Sequence, residues 1–421
     1  KGYFVNTTSG GITVTLPSSP SAGDIISLKD YAKTWDTNNV LICRNSSKIA
    51  SECLNANLTT EAQSITLIYV DGTQGWIDIQ DSAANITGSP NYVAATGGTV
   101  LTCGDYKTHV FTSDSTFSVT NAGLPAGSTK LDYFVVAGGG AGGASHFNGS
   151  GSGGGGGGGF RMANSYSVPA PTTSPLASPT GLTATVASFP ITIGGGGAGV
   201  SAPTTYVSGN NGNNSIFSTI TSAGGGGGSG GNSDTAPAGS GGSGGGSGYN
   251  GRNDPTHGKG NTPPVSPPQG QDGGSNSPDT GGSYAAAAGG GAGAVGGSAP
   301  SNNTGGTGGA GSYVGDTFFG PTAPSYGTPG PVSNTRYFAG GGGGGGGLAS
   351  PYPGGPITGG PGGAGGGGQG GGDPSPSRPG VAGTANTGGA SGGGSANYSP
   401  SSAGNSLAGG SGFVAIRYKF Q

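Results

Sequence analysis

Side chains able to do chemistry are scarce in this chain. Its three histidines, His109, His146 and His257, lie far apart and in no metal-ligand spacing. Its only glutamates, Glu52 and Glu61, stand outside the glycine-rich part, so a glycosidase-type carboxylate pair would have to come from loop aspartates. Gly241-Gly242-Ser243-Gly244-Gly245 fits the GxSxG nucleophile elbow, but no strand precedes it and no triad partner is evident. Gly258-Lys259-Gly260 lacks the Ser or Thr of a phosphate loop, and matches to GxGxxG are guaranteed by the composition. The residues therefore point away from an enzyme, and no metal or cofactor is expected.

Three cysteines, Cys43, Cys53 and Cys103, are too few and too widely spaced for a disulfide framework or a CxxC metal pair. Cys43 and Cys53 could bridge and close a short loop, or all three could be small buried apolar residues. Charged residues are only 7% of the 421, with 14 basic against 17 acidic, which leaves no electrostatic footprint for nucleic acid and no polybasic membrane surface. No apolar stretch approaches the length of a membrane-spanning helix. The chain begins at Lys1 rather than Met, which suits a processed chain or the downstream part of a longer one.

The elements that must position any working residue fall into blocks. Residues 1–80 read as a small β domain. Tyr3–Thr7, Ile12–Leu16, Asp24–Lys29, Val40–Cys43, Ser64–Val70 and Trp76–Ile79 are apolar or alternating, and Asp71–Gly75 makes a hairpin turn. Residues 81–98 are small and polar, as in a linker. Residues 99–137 carry a β hairpin and the apolar strand Asp132–Ala137, which runs straight into Gly138. The last residues, 412–421, form the matching strand. Everything glycine-rich lies between, in residues 138–411, interrupted by the strand-like Ala187–Ile193 and Ser215–Thr221.

Of 103 glycines, 91 follow residue 137, in runs such as Gly153–Gly159, Gly224–Gly228 and Gly340–Gly347. A glycine run has no side chain to bury, so no ordinary core can form there. It is either a flexible linker or a set of extended left-handed polyglycine-II helices, about three residues per turn, that bond one another through outward-pointing backbone groups. The strand pair bracketing the glycines argues for the packed form, with Asp132–Ala137 pairing Phe413–Tyr418. The expected fold is all-β plus a polyglycine-II helix sandwich, with essentially no α-helix.

Two resemblances follow from particular residues. YFVNTTSGGITVTLPSSPSAGDIISLKDYA, TNNVLICRNSSKI and LTTEAQSITLIYVDGTQGWI, over most of residues 3–77, resemble a module of tail fibres of tailed phages. YFVVAGGGAGG, GGGGGFR, FPITIGGGGAG, NNSIFSTITSAGGGGG, YFAGGGGGGGG and GGSGFVAIRY, across residues 133–418, resemble the glycine-rich domain common in phage tail adhesins. That resemblance implies a polyglycine-helix sandwich with receptor-reading loops at one end.

The loops between runs carry the prolines, the aromatics and nearly all the charge: five basic residues and six aspartates between 138 and 411. Tyr249, Arg252, His257, Phe318, Phe319, Tyr326 and Tyr352 are the candidates for receptor contact, or else they fold down and cap the array. The expectation is a structural and adhesive fibre protein on a virion tail or extracellular surface. It would bind a cell-surface glycan or protein and pair with its own copies through the N-terminal β module, without nucleic acid or membrane insertion. The alternatives are a subunit of an extracellular filament and, third, an ice-binding protein.

Overall fold

The computed structural model describes residues 1–81, 92–125, 127–146, 149–166, 168, 171–202, 204–231, 235–249, 257–276, 284–347, 356–372, 379–396 and 404–421. The fold is all-β, and two short 3-10 segments, Asp316–Phe318 and Gly320–Ser325, are the only helices among the described residues. The chain divides into a smaller unit, residues 1–94 with 121–129, and a larger one, residues 95–120 with 130–421.

In the smaller unit, β1 (Gly2–Val5), β3 (Ile25–Asp30), β6 (Ser64–Asp71) and β7 (Gly75–Asp81) form one sheet in the order β1-β3-β6-β7. A second sheet has the order β2-β4-β5, from β2 (Ile12–Thr15), β4 (Val40–Cys43) and β5 (Ala56–Leu58). Alternation decides which side chains turn inward: Val40 and Ile42 of β4, Ile65 and Leu67 of β6, packed with Trp35 and Trp76. Asp30, buried at the end of β3, accepts the backbone N–H groups of Ala32, Thr34, Trp35 and Ala62 at 3.0–3.3 Å. Burial would raise its pKa, but those N–H donors outweigh it and hold the carboxyl below the ordinary 3.8.

The Cys43–Cys53 bridge does not form: all three cysteines are free thiols. Cys43 is half-buried on β4, in register with Thr15, while Cys53 is exposed just beyond the tight turn closed by Ile49 and Glu52. The loop is closed instead by the β4–β5 pairing and by the Asn55 side chain, whose Oδ1 accepts the Arg44 N–H at 3.0 Å.

The segment 81–98, read as a linker, holds a strand, β8 (Val93–Thr96). It leads to β9 (Thr99–Cys103), β10 (Tyr106–Phe111), β11 (Ser115–Ala122) and β12 (Lys130–Val136). β13 (Phe160–Ala163), β14 (Ala177–Ser178), β15 (Leu182–Thr183), β16 (Ala187–Thr192), β17 (Ser215–Phe217), β18 (Ile220–Ser222), β19 (Ser312–Gly315), β20 (Thr335–Phe338) and β21 (Phe413–Lys419) follow. The terminal strand β21 pairs antiparallel with β12, from Asp132↔Arg417 to Val136↔Phe413, as the bracketing pattern predicts. Its other neighbour is β10, giving the order β14-β13-β12-β21-β10-β9. Ser215–Thr221, one strand by pattern, is the hairpin β17–β18, because Ser218 turns at φ 53°.

The glycine runs start and finish on these strands. Run 137–143 continues β12, run 151–159 enters β13, run 223–231 leaves β18, run 304–311 enters β19, and run 339–347 leaves β20. None of the glycines in 151–159 or 340–347 has a positive φ. Their hydrogen bonds repeat every third residue. Gly153, Gly156 and Gly159 donate to Ser229, Gly226 and Ala223; Gly151, Gly154 and Gly157 donate to Tyr284, Ala287 and Gly290; Ser152, Gly155 and Gly158 donate to Gly394, Ser391 and Gly388. Their carbonyls accept from 137–143, 243–246 and 342–345, so this run has six neighbours. Run 340–346 likewise has six: it donates to 365–371, 306–309 and 152–155 and accepts from 390–393, 360–363 and 286–289. A threefold helix with six neighbours is the hexagonal packing of polyglycine II.

Glycine is required for a steric reason. A Cβ on Gly154, Gly155 or Gly156 would sit 2.1–2.4 Å from a neighbouring carbonyl oxygen. At the margin the rule relaxes to one position in three. In Thr304-Gly-Gly-Thr307-Gly-Gly-Ala310 the glycines are buried, Thr307 is exposed, and Thr304 and Ala310 are half-buried.

Candidate functional site

The array has two unlike ends. At the strand end the aromatics fold inward. Phe318 and Phe319, expected to face a receptor, are each 1% exposed, in one core with Phe134, Phe160, Phe338 and Phe413. Phe319 lies 5.8 Å from Phe413, and Tyr326 packs half-buried against both, at 4.9 and 5.6 Å. The hairpin β19–β20 holds the connecting loop over this core, and Arg336 donates from Nε to the Tyr326 carbonyl at 2.6 Å and from Nη2 to that of Gly327 at 3.0 Å. These three residues are core cover, because burying large rings at the strand end shields the apolar side chains that gather there in place of glycine backbone.

The same end buries charge that the sequence pattern hid. Asp132 and Arg417 are register partners across β12 and β21, both buried. The Asp132 carboxylate accepts the N–H groups of Ser165 at 2.7 Å and Tyr166 at 3.3 Å, while burial pushes its pKa up. The Arg417 guanidinium lies 4.0 Å from the Tyr106 ring centroid and 5.5 Å from that of Phe318, and burial lowers its pKa against the pull of Asp132.

At the opposite end three tyrosines come together. Tyr249 stacks on Tyr284, with centroids 5.8 Å apart and planes at 5°, and Tyr206 lies 6.3 Å from Tyr249. All three are half-buried, so each keeps part of its surface in solvent. Tyr206 and Tyr284 were not among the sequence candidates; Tyr206 precedes a segment that bonds Ala144 and Gly228, and the Tyr284 carbonyl accepts the Gly151 N–H, so the packing of the array draws them together with Tyr249. Arg252 and Tyr352 lie outside the described residues.

His257 is placed elsewhere, against Lys259 and Asp272. The Lys259 ammonium donates to His257 Nε2 at 2.6 Å and to Asp272 Oδ2 at 3.2 Å, and the Gly260 N–H meets Asp272 Oδ1 at 2.8 Å. Burial would raise the Asp272 pKa, but the Gly260 N–H, Lys259 and His257 together lower it. This stretch is only partly loop: Gly258 and Gly270–Gly274 are array residues, with Gly273 donating to Gly258 and Gly258 to Gly245. Among the described residues no group of three or more His, Cys, Asp or Glu could hold a metal ion.

A backbone-bonded glycine array bracketed by its own strands is the decisive feature, and the family comparison agrees with it. The chain belongs to the glycine-rich domain family. The family model, described as a glycine-rich domain, matches residues 112–419. No curated protein matches the chain. The matched span of the glycine-rich domain runs from β11 through the array to the last residue of β21, so it takes in both array ends and the tyrosine cluster.

Proposed function

We propose that this glycine-rich protein is a structural and adhesive fibre component, of the kind its resemblance to phage tail fibres and adhesins suggests, with a binding rather than a catalytic role. It acts on a virion tail or extracellular surface and presents the turn end of its polyglycine array to a cell-surface glycan or protein. The supporting observation is the commitment of the array's backbone: runs 151–159 and 340–346 spend every backbone N–H and most of their carbonyls on six neighbours, so discrimination between partners is left to side chains at the margins. Tyr206, Tyr249 and Tyr284 are the clustered aromatics at the turn end, and aromatic faces suit sugars and protein surfaces alike.

A second reading, a filament subunit, is favoured by the smaller unit. Its edge strands β1 and β2 flank a groove of about 530 Å³ lined by Tyr3, Phe4, Val5, Ile12, Val14 and Ile26, with Phe4 76% exposed. Open strand edges beside apolar side chains invite pairing with a further strand.

One experiment separates the readings. The triple variant Tyr206→Ser/Tyr249→Ser/Tyr284→Ser and a Phe4→Ser variant are each compared with the parent on a glycan array and by negative-stain microscopy. Adhesion predicts glycan or surface-protein binding that falls at least tenfold in the tyrosine variant and is unchanged in Phe4→Ser. Filament assembly predicts ordered fibres that Phe4→Ser abolishes. Binding indifferent to the three tyrosines would refute the adhesive reading of this end.

A further inference from the structure

His109, in β10, is fully buried in the larger unit. Its Nδ1 lies 2.6 Å from the Gly97 carbonyl oxygen, which can only accept, so Nδ1 carries the proton and donates. Nε2 is then a lone pair that accepts the Tyr418 hydroxyl at 3.0 Å. The Tyr418 oxygen in turn accepts the Ala95 N–H at 3.2 Å. A neutral ring thus ties two backbone groups of residues 95–97 to β10 and β21. The tied segment is closely seated: Gly97 and Gly98 have φ of +112° and +62°, and a Cβ there would meet the Thr116 carbonyl oxygen at 2.2 Å and that of Val110 at 2.6 Å. Residues 95–98, the second half of β8 and the two glycines after it, are also where the chain enters the larger unit.

We propose that His109 and Tyr418 form an acid-sensitive latch on residues 95–98, closed while the imidazole is neutral and released when it takes up a second proton.

Protonation would put an N–H on Nε2, facing the Tyr418 hydroxyl. The Tyr418 oxygen would then have to accept from both Nε2 and Ala95, leaving its own proton without an acceptor in an apolar enclosure. The groups facing the ring are Tyr418 from β21, stacked at 5.5 Å, Phe117 from β11, edge-on at 5.1 Å, and the Gly97 carbonyl. The charged group acting on it is Lys107 of its own strand, a cation; among the described residues no carboxylate acts on the ring. Burial, with a smaller push from Lys107, holds His109 below the ordinary 6.5 against the Gly97 carbonyl, and burial raises Tyr418, so the phenol stays neutral throughout. A depressed folded pKa means the latch contributes fully above pH 6.5 and is lost as pH falls through the folded value.

Hydrogen exchange of the full chain between pH 7.5 and 4.5, corrected for the intrinsic rate, tests this on the peptide covering residues 93–98. Opening of that peptide should rise by up to about tenfold per pH unit once below the ordinary histidine range, while amides of run 151–159 stay protected. His109→Gln, whose amide can donate to Gly97 and accept from Tyr418 but cannot titrate, should keep the segment closed and abolish the pH dependence. Tyr418→Phe should open it at pH 7.5, since the Ala95 N–H loses its acceptor. A flat wild-type profile, an equal rise in His109→Gln, or array amides opening in step with 93–98 would overturn the latch. Should His109→Gln fail to fold, the wild-type profile and Tyr418→Phe decide it alone.

Discussion

Replacing Gly155 by alanine probes the array at its centre. The new Cβ would lie 2.4 Å from the Gly140 oxygen and 2.8 Å from its carbonyl carbon, where ordinary contact begins near 3.4 Å, so one backbone must move by about 1 Å. Gly140 is pinned from two sides: its carbonyl accepts the Ser391 N–H at 3.1 Å and its own N–H meets Gly156 at 2.8 Å. A 1 Å shift takes at least one of these out of range, leaving a buried group unpaired at about 1–3 kcal/mol, and overpacking adds about 1–3 kcal/mol. The expected loss is about 2–6 kcal/mol. Gly195 is the control. It lies on a marginal run where the nearest atom to a Cβ is Asn213 Nδ2 at 3.7 Å, and its φ is not positive. There, alanine should be neutral or stabilise by about 0.4–1 kcal/mol through the unfolded chain. Calorimetry of both variants, with hydrogen exchange at Gly155 and Gly342, measures the contrast. Equal effects at the two sites would refute the claim that glycine is required by interhelical contact rather than by backbone freedom.

Two further predictions rest on buried charge. Asp30 has a depressed folded pKa, so its contribution is present above the unfolded value of about 3.8 and is lost as pH falls through the folded one; Asp30→Asn should cost the smaller unit about 1–3 kcal/mol at pH 7 and flatten its acid limb, as followed by Trp35 and Trp76 fluorescence. Arg417→Met removes a cation that acts on the buried Asp132 carboxyl without a direct hydrogen bond to it, so combining it with Asp132→Asn should give a coupling of about 0.5–3 kcal/mol by chemical denaturation; strict additivity would show that the two charges do not interact.

Local pattern alone determined most of the strands. Val40–Cys43, Ile12–Thr15 and the β6–β7 hairpin follow from alternation and turn residues, which are local signals. The pairing of β12 with β21 was also legible, because the two are continuous apolar strands that bracket the glycine-rich part from either end. The runs themselves left a flexible linker and polyglycine II both open, and it was the strand pair bracketing them that argued for the packed form. The local triplets at 304–310 mark a marginal helix, whereas the unbroken runs 153–159 and 340–347 mark interior ones.

What only the tertiary structure decided is where each interruption goes. Phe318, Phe319 and Tyr326 sit in a proline- and aromatic-rich stretch much like the one around Tyr249, yet the first group caps a core and Tyr249 joins a half-buried cluster at the turns. The difference lies in the neighbours. The hairpin β19–β20 leaves and re-enters the array beside β12 and β21, where apolar surface waits, whereas Tyr249 follows a run that ends among turns. Burial of His109, Asp132 and Arg417 escaped the sequence for a similar reason. Each is one polar residue in an apolar strand, and whether such a residue faces solvent or a second layer depends on what packs over the sheet, which the strand's own pattern does not record.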